Sequence, residues 1–229
     1  MTRPLRDALS LLLSHPTLSD SLSLSALITF VGIIARLRNR LAGSRSTSSA
    51  AVRPRTLPLA VTSFIVSALK ISSAHVAELW ATIGDVVWAV DSMDPDQISI
   101  SRDLVDVFLE YGAQYQIGLY DFYPPTTVCL SPHCIYIQGP RAGAQLNLGR
   151  SISTNVVFYT RDLGPVPAVC HSAKCDHCGV RYYPNYFVDP TTEARSFYEG
   201  LPSAIHVTTH VFVELSLCIR FANAAACAW

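Results

Sequence analysis

The chain has 229 residues, of which 50% are hydrophobic and 15% are charged, and this composition excludes an intrinsically disordered protein. Its 17 basic and 17 acidic side chains balance, which excludes attraction to nucleic acid by the net charge of the whole protein. No clear secretory signal precedes the seven cysteines. We therefore expect an intracellular, reducing environment, in which clustered thiols bind metal more often than they form disulfides.

The first third of the chain is predicted to be helical, with N-terminal helices over residues 1–42. Ser19 or Asp20 can cap a helix that runs through Leu24 to Leu37. The apolar run inside this helix is shorter than the ~20 residues that a membrane span needs. We therefore expect buried helices rather than a membrane protein.

Residues 43–57 are rich in Ser, Ala and Arg, a composition typical of a linker. Six arginines and no acid lie between Arg36 and Arg55. The segment is predicted to be a solvated linker. The alternative is a nuclear-import or phosphate-contacting tail.

A second helical region is predicted over residues 58–112. One continuous apolar pattern starts near Pro58 and is broken by Asp94 and Pro95. Ser101 then caps a short helix at the end of this region.

The pattern changes after Tyr120 to short β-type runs separated by Gly, Pro and Asn. The strands are predicted at residues 135–137, 156–159, 166–169, 180–183 and 186–188. A closing helix is predicted from Thr208 or Thr209 to Ala226. The expected fold class is α+β, with a helical N-terminal region followed by a β-rich module over residues 113–229.

Two cysteine pairs dominate this β-rich module. Four residues separate Cys129 from Cys134, and two residues separate Cys175 from Cys178. A turn of either length brings two thiolates toward one ion, and two such pairs supply the four ligands of a closed tetrahedral zinc site. The sequence therefore predicts a zinc-ribbon-like module with one structural Zn²⁺ bound by these four cysteines.

Other interpretations of these residues stay open. The four cysteines can instead be ordinary buried side chains, or can pair oxidatively in a preparation. Cys170 repeats the spacing of the first pair when it is taken with Cys175, and His133, His171 and His177 lie close in sequence. We expect Cys170 to be a spare thiol and the histidines to be solvated or to support the ligands, but any of them can replace a thiolate.

Two runs are distinctive: YPPTTVCLSPHC at residues 123–134 and CDHCGVRYYPNY at residues 175–186. Together they resemble the type-5 CxC cysteine cluster associated with KDZ transposases, a predicted zinc-chelating domain of fungal mobile elements. The resemblance extends from about Asp103 to the end of the chain. It implies a zinc module placed before a transposase catalytic domain, with metal positions at Cys129, Cys134, Cys175 and Cys178.

The expected function is a non-catalytic zinc-binding module for DNA targeting or transposase assembly. No small-molecule substrate and no enzymatic activity are expected, because the sequence lacks the common nucleophile, metalloprotease and phosphate-binding motifs. The resemblance implies DNA or a transposase catalytic subunit as partner, a nuclear location, and a chain truncated before any catalytic domain. The alternatives are a protein-interaction zinc module and an inactive mobile-element remnant.

An arginine and three tyrosines follow the second cysteine pair and are the predicted nucleic-acid contacts: Arg181, Tyr182, Tyr183 and Tyr186. Tyrosine rings stack on bases, and arginine binds phosphate. The alternative is that the tyrosines form the wall of the zinc site.

Overall fold

A computed structural model of the chain describes residues 10–12, 14–16, 18, 22–42, 53–89, 100–139, 141–143 and 152–227. These residues fall into two compact units, which divide the chain after Leu119. The first unit is helical, and the second contains two β-sheets and a C-terminal helix. The predicted α+β class is therefore confirmed.

The first unit contains the helices α1 (Leu24–Leu41), α2 (Leu59–Leu69), α3 (Ser73–Ala89) and α4 (Arg102–Tyr111). α1 is capped by Ser23, whose hydroxyl accepts a hydrogen bond from the N–H of Ala26 at 3.1 Å. The helix therefore begins later than predicted, and the predicted caps, Ser19 and Asp20, lie outside the described residues. The predicted cap of α4 is confirmed, because the hydroxyl of Ser101 accepts from the N–H of Leu104.

The single apolar pattern predicted after Pro58 is two helices in the structure. Lys70 adopts a left-handed backbone conformation (φ 54°) and ends α2, and the hydroxyl of Ser72 accepts from the N–H of His75 at the start of α3. Among the described helices, none alone has the length and hydropathy of a membrane span. α2 and α3 together pass that test on length and composition, but they are bent by 104° at their break.

The interior of the first unit is built from large apolar side chains. Phe64 is fully buried and its ring lies 5.1 Å from that of Phe108 and 6.4 Å from that of Tyr115. The Tyr115 hydroxyl in turn is hydrogen bonded to that of Ser67 at 2.8 Å. These contacts join α2 and α4 and the short 3-10 turn at Ala113–Tyr115.

Sequence analysis places Arg53 and Pro54 in a solvated linker, whereas the structure packs them on α3. The Arg53 guanidinium donates to the carbonyl of Trp80 at 2.8 Å, pairs with Asp85 at 2.7 Å and lies 4.9 Å from the centre of the Trp80 ring. Gly84 allows this approach, because a Cβ there would lie 2.2 Å from the guanidinium. The remaining part of the predicted linker, residues 43–52, and the predicted break at Asp94 and Pro95 lie outside the described residues.

The second unit contains nine strands among the described residues: β1 (Tyr120–Phe122), β2 (Ser153–Thr160), β3 (Gly164–His171), β4 (Ala173–Lys174), β5 (Arg181–Tyr182), β6 (Tyr186–Val188), β7 (Arg195–Phe197), β8 (Ala204–Thr208) and β9 (Val211–Glu214). Five of them form a mixed sheet in the order β1-β3-β2-β9-β8, and the other four form an antiparallel sheet in chain order. The long hairpin of β2 and β3 is the centre of the mixed sheet.

A column of stacked rings joins the two sheets. The Phe212 ring lies 4.5 Å from Phe122 on one side and 4.5 Å from His206 on the other, and His206 lies 5.6 Å from Tyr186 in the four-stranded sheet. Each of these pairs is close to parallel, which is a favourable geometry for rings when they are offset. The opposite face of the four-stranded sheet, which includes Phe187, lines a second hydrophobic interior.

Two predicted elements of this unit differ in the structure. Residues 135–137, predicted as a strand, are part of a one-turn helix α5 (Ile135–Gln138), closed by a bond from the N–H of Gly139 to the carbonyl of Ile135. The closing helix α6 (Leu215–Cys227) begins later than predicted, because Val211–Glu214 is a strand that buries Phe212 completely. At Val211–Glu214 the pairing with β2 and β8 overrides the local preference for helix.

Candidate metal centre

The second cysteine pair lies in the tight turn that joins β4 to β5. The N–H of Cys175 donates to the carbonyl of Val180 at 2.9 Å, and the N–H of Gly179 donates back to the carbonyl of Cys175 at 3.0 Å. Gly179 has φ +76°, a conformation that side chains disfavour. The glycine after Cys178 therefore permits the turn that brings the two sulfurs to one side.

The first pair lies in the loop that follows β1 and leads into α5. The N–H of Cys134 donates to the carbonyl of Ser131 at 3.0 Å, which closes a turn between the two cysteines. The carbonyl of Cys134 then accepts from the N–H of Ile137 at 2.8 Å and starts α5. Cys129 and Cys134 are both fully buried.

The structure brings the four predicted ligands together. The sulfurs of Cys129, Cys134, Cys175 and Cys178 all lie within 4.8 Å of one another, with 3.5 Å between Cys129 and Cys178 and 3.7 Å between Cys134 and Cys175. A disulfide would need about 2.0 Å, and all four thiols are free. An ion at about 2.3 Å from four tetrahedral sulfurs requires sulfur–sulfur separations of about 3.8 Å. The cluster therefore has the dimensions of a four-thiolate metal site.

Each sulfur also faces a hydrogen-bond donor. The backbone N–H groups of His177 and Cys178 are directed at the sulfur of Cys175, that of Val180 at Cys178, and that of Tyr136 at Cys134. The fourth sulfur, Cys129, lies 3.2 Å from the hydroxyl of Tyr182. Donors of this kind stabilise the thiolate rather than the thiol.

The cluster cannot carry four negative charges without a cation. Burial raises the pKa of Cys134 and of Cys178, and hydrogen bonds with the neighbouring sulfurs raise it further. Burial also raises the pKa of Cys175, but the N–H donors of Cys178 and His177, together with bonds from the sulfurs of Cys178 and Cys129, outweigh it, so this pKa lies below its ordinary value. Of these thiols the arrangement favours ionisation of Cys175, and a cation would offset the repulsion among four thiolates.

For Tyr182 the sequence offered two roles, nucleic-acid contact and the wall of the zinc site. The residue is fully buried, and burial together with the bond to Cys129 raises the pKa of its hydroxyl. Its hydroxyl also accepts a hydrogen bond from the N–H of Leu130 at 2.8 Å. Nucleic-acid contact by this ring is therefore wrong, since the ring forms part of the wall of the cysteine cluster.

The other three predicted contact residues are only partly available. Tyr186 is buried, with the guanidinium of Arg195 4.8 Å from its ring, so its predicted contact is also wrong. Arg181 and Tyr183 are half-buried, and Arg181 donates to the hydroxyl of Ser172. Nucleic-acid contact stays a prediction for Arg181 and Tyr183.

The remaining candidate ligands lie outside the group of four in the described part of the chain. Cys170 is buried in β3, where burial raises its pKa to about 11. His133 and His177 are exposed, and His177 lies against the ring of Tyr136. His171 has other partners, described next.

His171 is the centre of a buried polar chain in the mixed sheet. Its Nε2 lies 2.7 Å from a carboxylate oxygen of Asp121, its Nδ1 lies 3.0 Å from the Ser153 hydroxyl, and its ring stacks on Tyr123 at 4.2 Å. These contacts tie β1, β2 and β3 together. In serine hydrolases the carboxylate binds Nδ1 and the serine lies at Nε2, so the arrangement here is reversed.

Comparison with known proteins gives one match. Residues 117–229 match the family model described as a CxC5-like cysteine cluster associated with KDZ transposases, whereas no curated protein and no solved structure matches the chain. The match includes the whole second unit and all four clustered cysteines, which confirms the resemblance of the two cysteine motifs. Residues 117–229 therefore belong to the CxC5-like family of cysteine clusters associated with KDZ transposases.

Proposed function

We propose that the second unit is a zinc-stabilised accessory module of a KDZ transposase, and that Cys129, Cys134, Cys175 and Cys178 bind one Zn²⁺. The observation that carries the proposal is the close approach of these four sulfurs, all within 4.8 Å. A site of four thiolates suits zinc, which prefers soft ligands and a tetrahedral geometry. Iron also accepts four sulfurs, so the element has to be measured.

The ion is structural in this proposal. Four sulfur ligands leave no position for a metal-bound water, which catalytic zinc requires. The reversed orientation of His171 between Asp121 and Ser153 likewise favours a structural role for that polar chain. In this proposal the module acts in its transposase by binding a partner and not by catalysis.

The first experiment measures metal per chain by elemental analysis in a reducing preparation without chelators. We expect close to one zinc in the parent and much less in Cys175→Ser. Cys218→Ser is the matched control, because Cys218 lies on α6 outside the cluster, and it should keep its zinc. Iron in place of zinc, or equal metal in the parent and Cys175→Ser, would contradict the proposal.

For the partner we propose the transposase catalytic subunit in the nucleus, with DNA contact as the second candidate. Three arginines of this unit have partners: Arg161 contacts Asp162, Arg195 the Tyr186 ring and Arg181 Ser172, whereas Arg141 and Arg220 are exposed. Large apolar side chains are also exposed, with Phe197 at 71% and Leu201 at 84%. Such a surface favours contact with protein over contact with phosphate.

A salt series distinguishes the two partners. Binding to DNA should weaken steeply between about 50 and 200 mM salt, because cations are released from the phosphates. Binding to the catalytic subunit through apolar side chains should change little over that range. Micromolar binding to DNA with a steep salt dependence would overturn the choice of a protein partner.

A further inference from the structure

We propose that Tyr182 is a positioning residue of the metal centre, whose hydroxyl donates a hydrogen bond to the Cys129 thiolate and links the two cysteine pairs. This inference rests on the proposed function, because it requires a metal-bound thiolate at Cys129. The hydroxyl oxygen lies 3.2 Å from that sulfur and 2.8 Å from the backbone nitrogen of Leu130.

The direction of the bond follows from the chemistry of its three groups. A backbone N–H can only donate, so Leu130 occupies a lone pair of the tyrosine oxygen. A metal-bound thiolate carries no proton and can only accept. The single proton of the hydroxyl therefore points at the sulfur of Cys129, and the bond to an ionised acceptor is of the stronger, charge-assisted kind.

The position of the ring explains why this donor is rigid. Tyr182 is fully buried on β5, where it pairs with Ala173 and Phe187 across the sheet and its ring lies 5.6 Å from that of Phe187. The ring cannot turn its hydroxyl to water. Its oxygen therefore has a fixed position, and the loop of the first cysteine pair must bring Leu130 and Cys129 within hydrogen-bond distance of it.

The contact between Tyr182 and Cys129 relates the two cysteine pairs to each other in a way that their spacing in the sequence does not. Cys175 and Cys178 form the turn between β4 and β5, and Tyr182 belongs to the strand that leaves that turn. Its hydroxyl thus connects the second pair of ligands to the loop of the first pair by two hydrogen bonds. Groups that orient the ligands in this way change metal affinity by about 10–100-fold when they are removed.

The experiment compares Tyr182→Phe with the parent by competition for zinc against a chromophoric chelator. The substitution removes only the hydroxyl and keeps the buried ring. We expect the variant to bind one zinc about 10–100-fold more weakly. In the cobalt-loaded proteins we also expect the thiolate-to-metal charge-transfer band to move to lower energy in the variant, because the sulfur loses a hydrogen bond.

Tyr183→Phe is the matched control, since Tyr183 is the next residue, is half-buried and stacks on Tyr186. It should keep the affinity and the cobalt spectrum of the parent. If Tyr182→Phe matches the parent in both measurements while the parent binds zinc, the inference is overturned and the proposed function stands. If the parent binds no metal, the proposed function itself fails.

A measurement on the parent covers the case in which Tyr182→Phe does not fold. After loading with ¹¹³Cd, the Tyr182 hydroxyl proton should exchange slowly with water and show a scalar coupling to cadmium through the Cys129 sulfur. A spectrum in which backbone N–H protons couple to the metal but this hydroxyl does not would overturn the inference.

Discussion

The two units of the chain are stabilised by different means. In the helical first unit the fully buried positions are large apolar side chains such as Phe30, Phe64 and Leu79. In the second unit one of the interiors is a group of cysteines, with Ala173, Val180 and Tyr182 around it. The first unit therefore depends on burial of apolar surface, whereas we expect the four-stranded sheet of the second to depend on a ligand as well.

Removal of the metal should produce the largest difference in stability between the two units. Structural zinc contributes about 10–16 kcal/mol of apparent binding free energy in zinc-finger peptides at neutral pH. We expect a strong chelator under reducing conditions to remove hydrogen-exchange protection from Ala173–Lys174 and Tyr186–Val188, whose ranges are strands in the structure. Protection in Leu59–Leu69 should persist.

The control for this prediction is readdition of zinc, which should restore the protection. Equal loss of protection in both units, or no loss in either, would contradict the expected difference between them.

In the first unit the test that corresponds to metal removal is the loss of a buried aromatic ring. Phe64→Ala removes a fully buried side chain that packs on Phe108, and we expect the free energy of unfolding to fall by about 3–5 kcal/mol. Leu59→Ala, at a position of the same helix that is 82% exposed, should change it by less than about 0.5 kcal/mol. Urea unfolding followed by tryptophan fluorescence measures both, since Trp80 and Trp88 lie in the first unit.

The packing of Arg53 against α3 predicts a coupling between two substitutions. Arg53→Ala removes the bonds to the Trp80 carbonyl and to Asp85, and we expect a loss of about 1–2 kcal/mol. Gly84→Ala should be unfavourable in the parent, because its Cβ would lie 2.2 Å from the guanidinium. In the Arg53→Ala background the penalty should be smaller, because only the Trp80 ring, 3.1 Å from that Cβ, still crowds it. Additive effects in this double-mutant cycle would contradict the contact.

The smallest expected effect is a pH dependence in the aromatic column. Burial lowers the pKa of His206, which favours its neutral form in the folded protein. The unfolded chain therefore takes up the proton first, so the stabilisation is complete above about pH 6.5 and is lost as the pH falls below that value. His206→Gln should reduce the decrease in stability as the pH falls below about 6.5 at saturating zinc. His210→Gln, at an exposed position, should leave the decrease unchanged.

The features that the sequence predicted well are those set by local chemistry. The two cysteine spacings predict the sulfur cluster, because each pair lies in a short turn that determines the direction of its side chains. Ser101 predicts the start of α4, because a cap acts on the N–H groups of its own first turn. The strands β2 and β3 contain the predicted runs at residues 156–159 and 166–169, whose valines and aromatic side chains favour strands.

The features that the sequence did not predict depend on contacts between distant residues. Val211–Glu214 is predicted as the start of the closing helix, but it pairs with β2 and β8 and buries Phe212 completely. Arg53 appears among solvated arginines, and only its approach to Gly84 and Trp80 shows that it is packed. Tyr182 is one of three tyrosines close in sequence, and only burial distinguishes its hydroxyl from the others.

We expect the β2–β3 hairpin to bring the two cysteine pairs together during folding. Cys134 and Cys175 are 41 residues apart in the chain, and closing a long flexible loop has an entropic cost that grows with its length. The hairpin places Ser153 opposite His171, so once it has formed the remaining loop is much shorter. Substitutions in this hairpin should therefore slow the uptake of zinc by a refolding chain, even though they leave all four ligands intact.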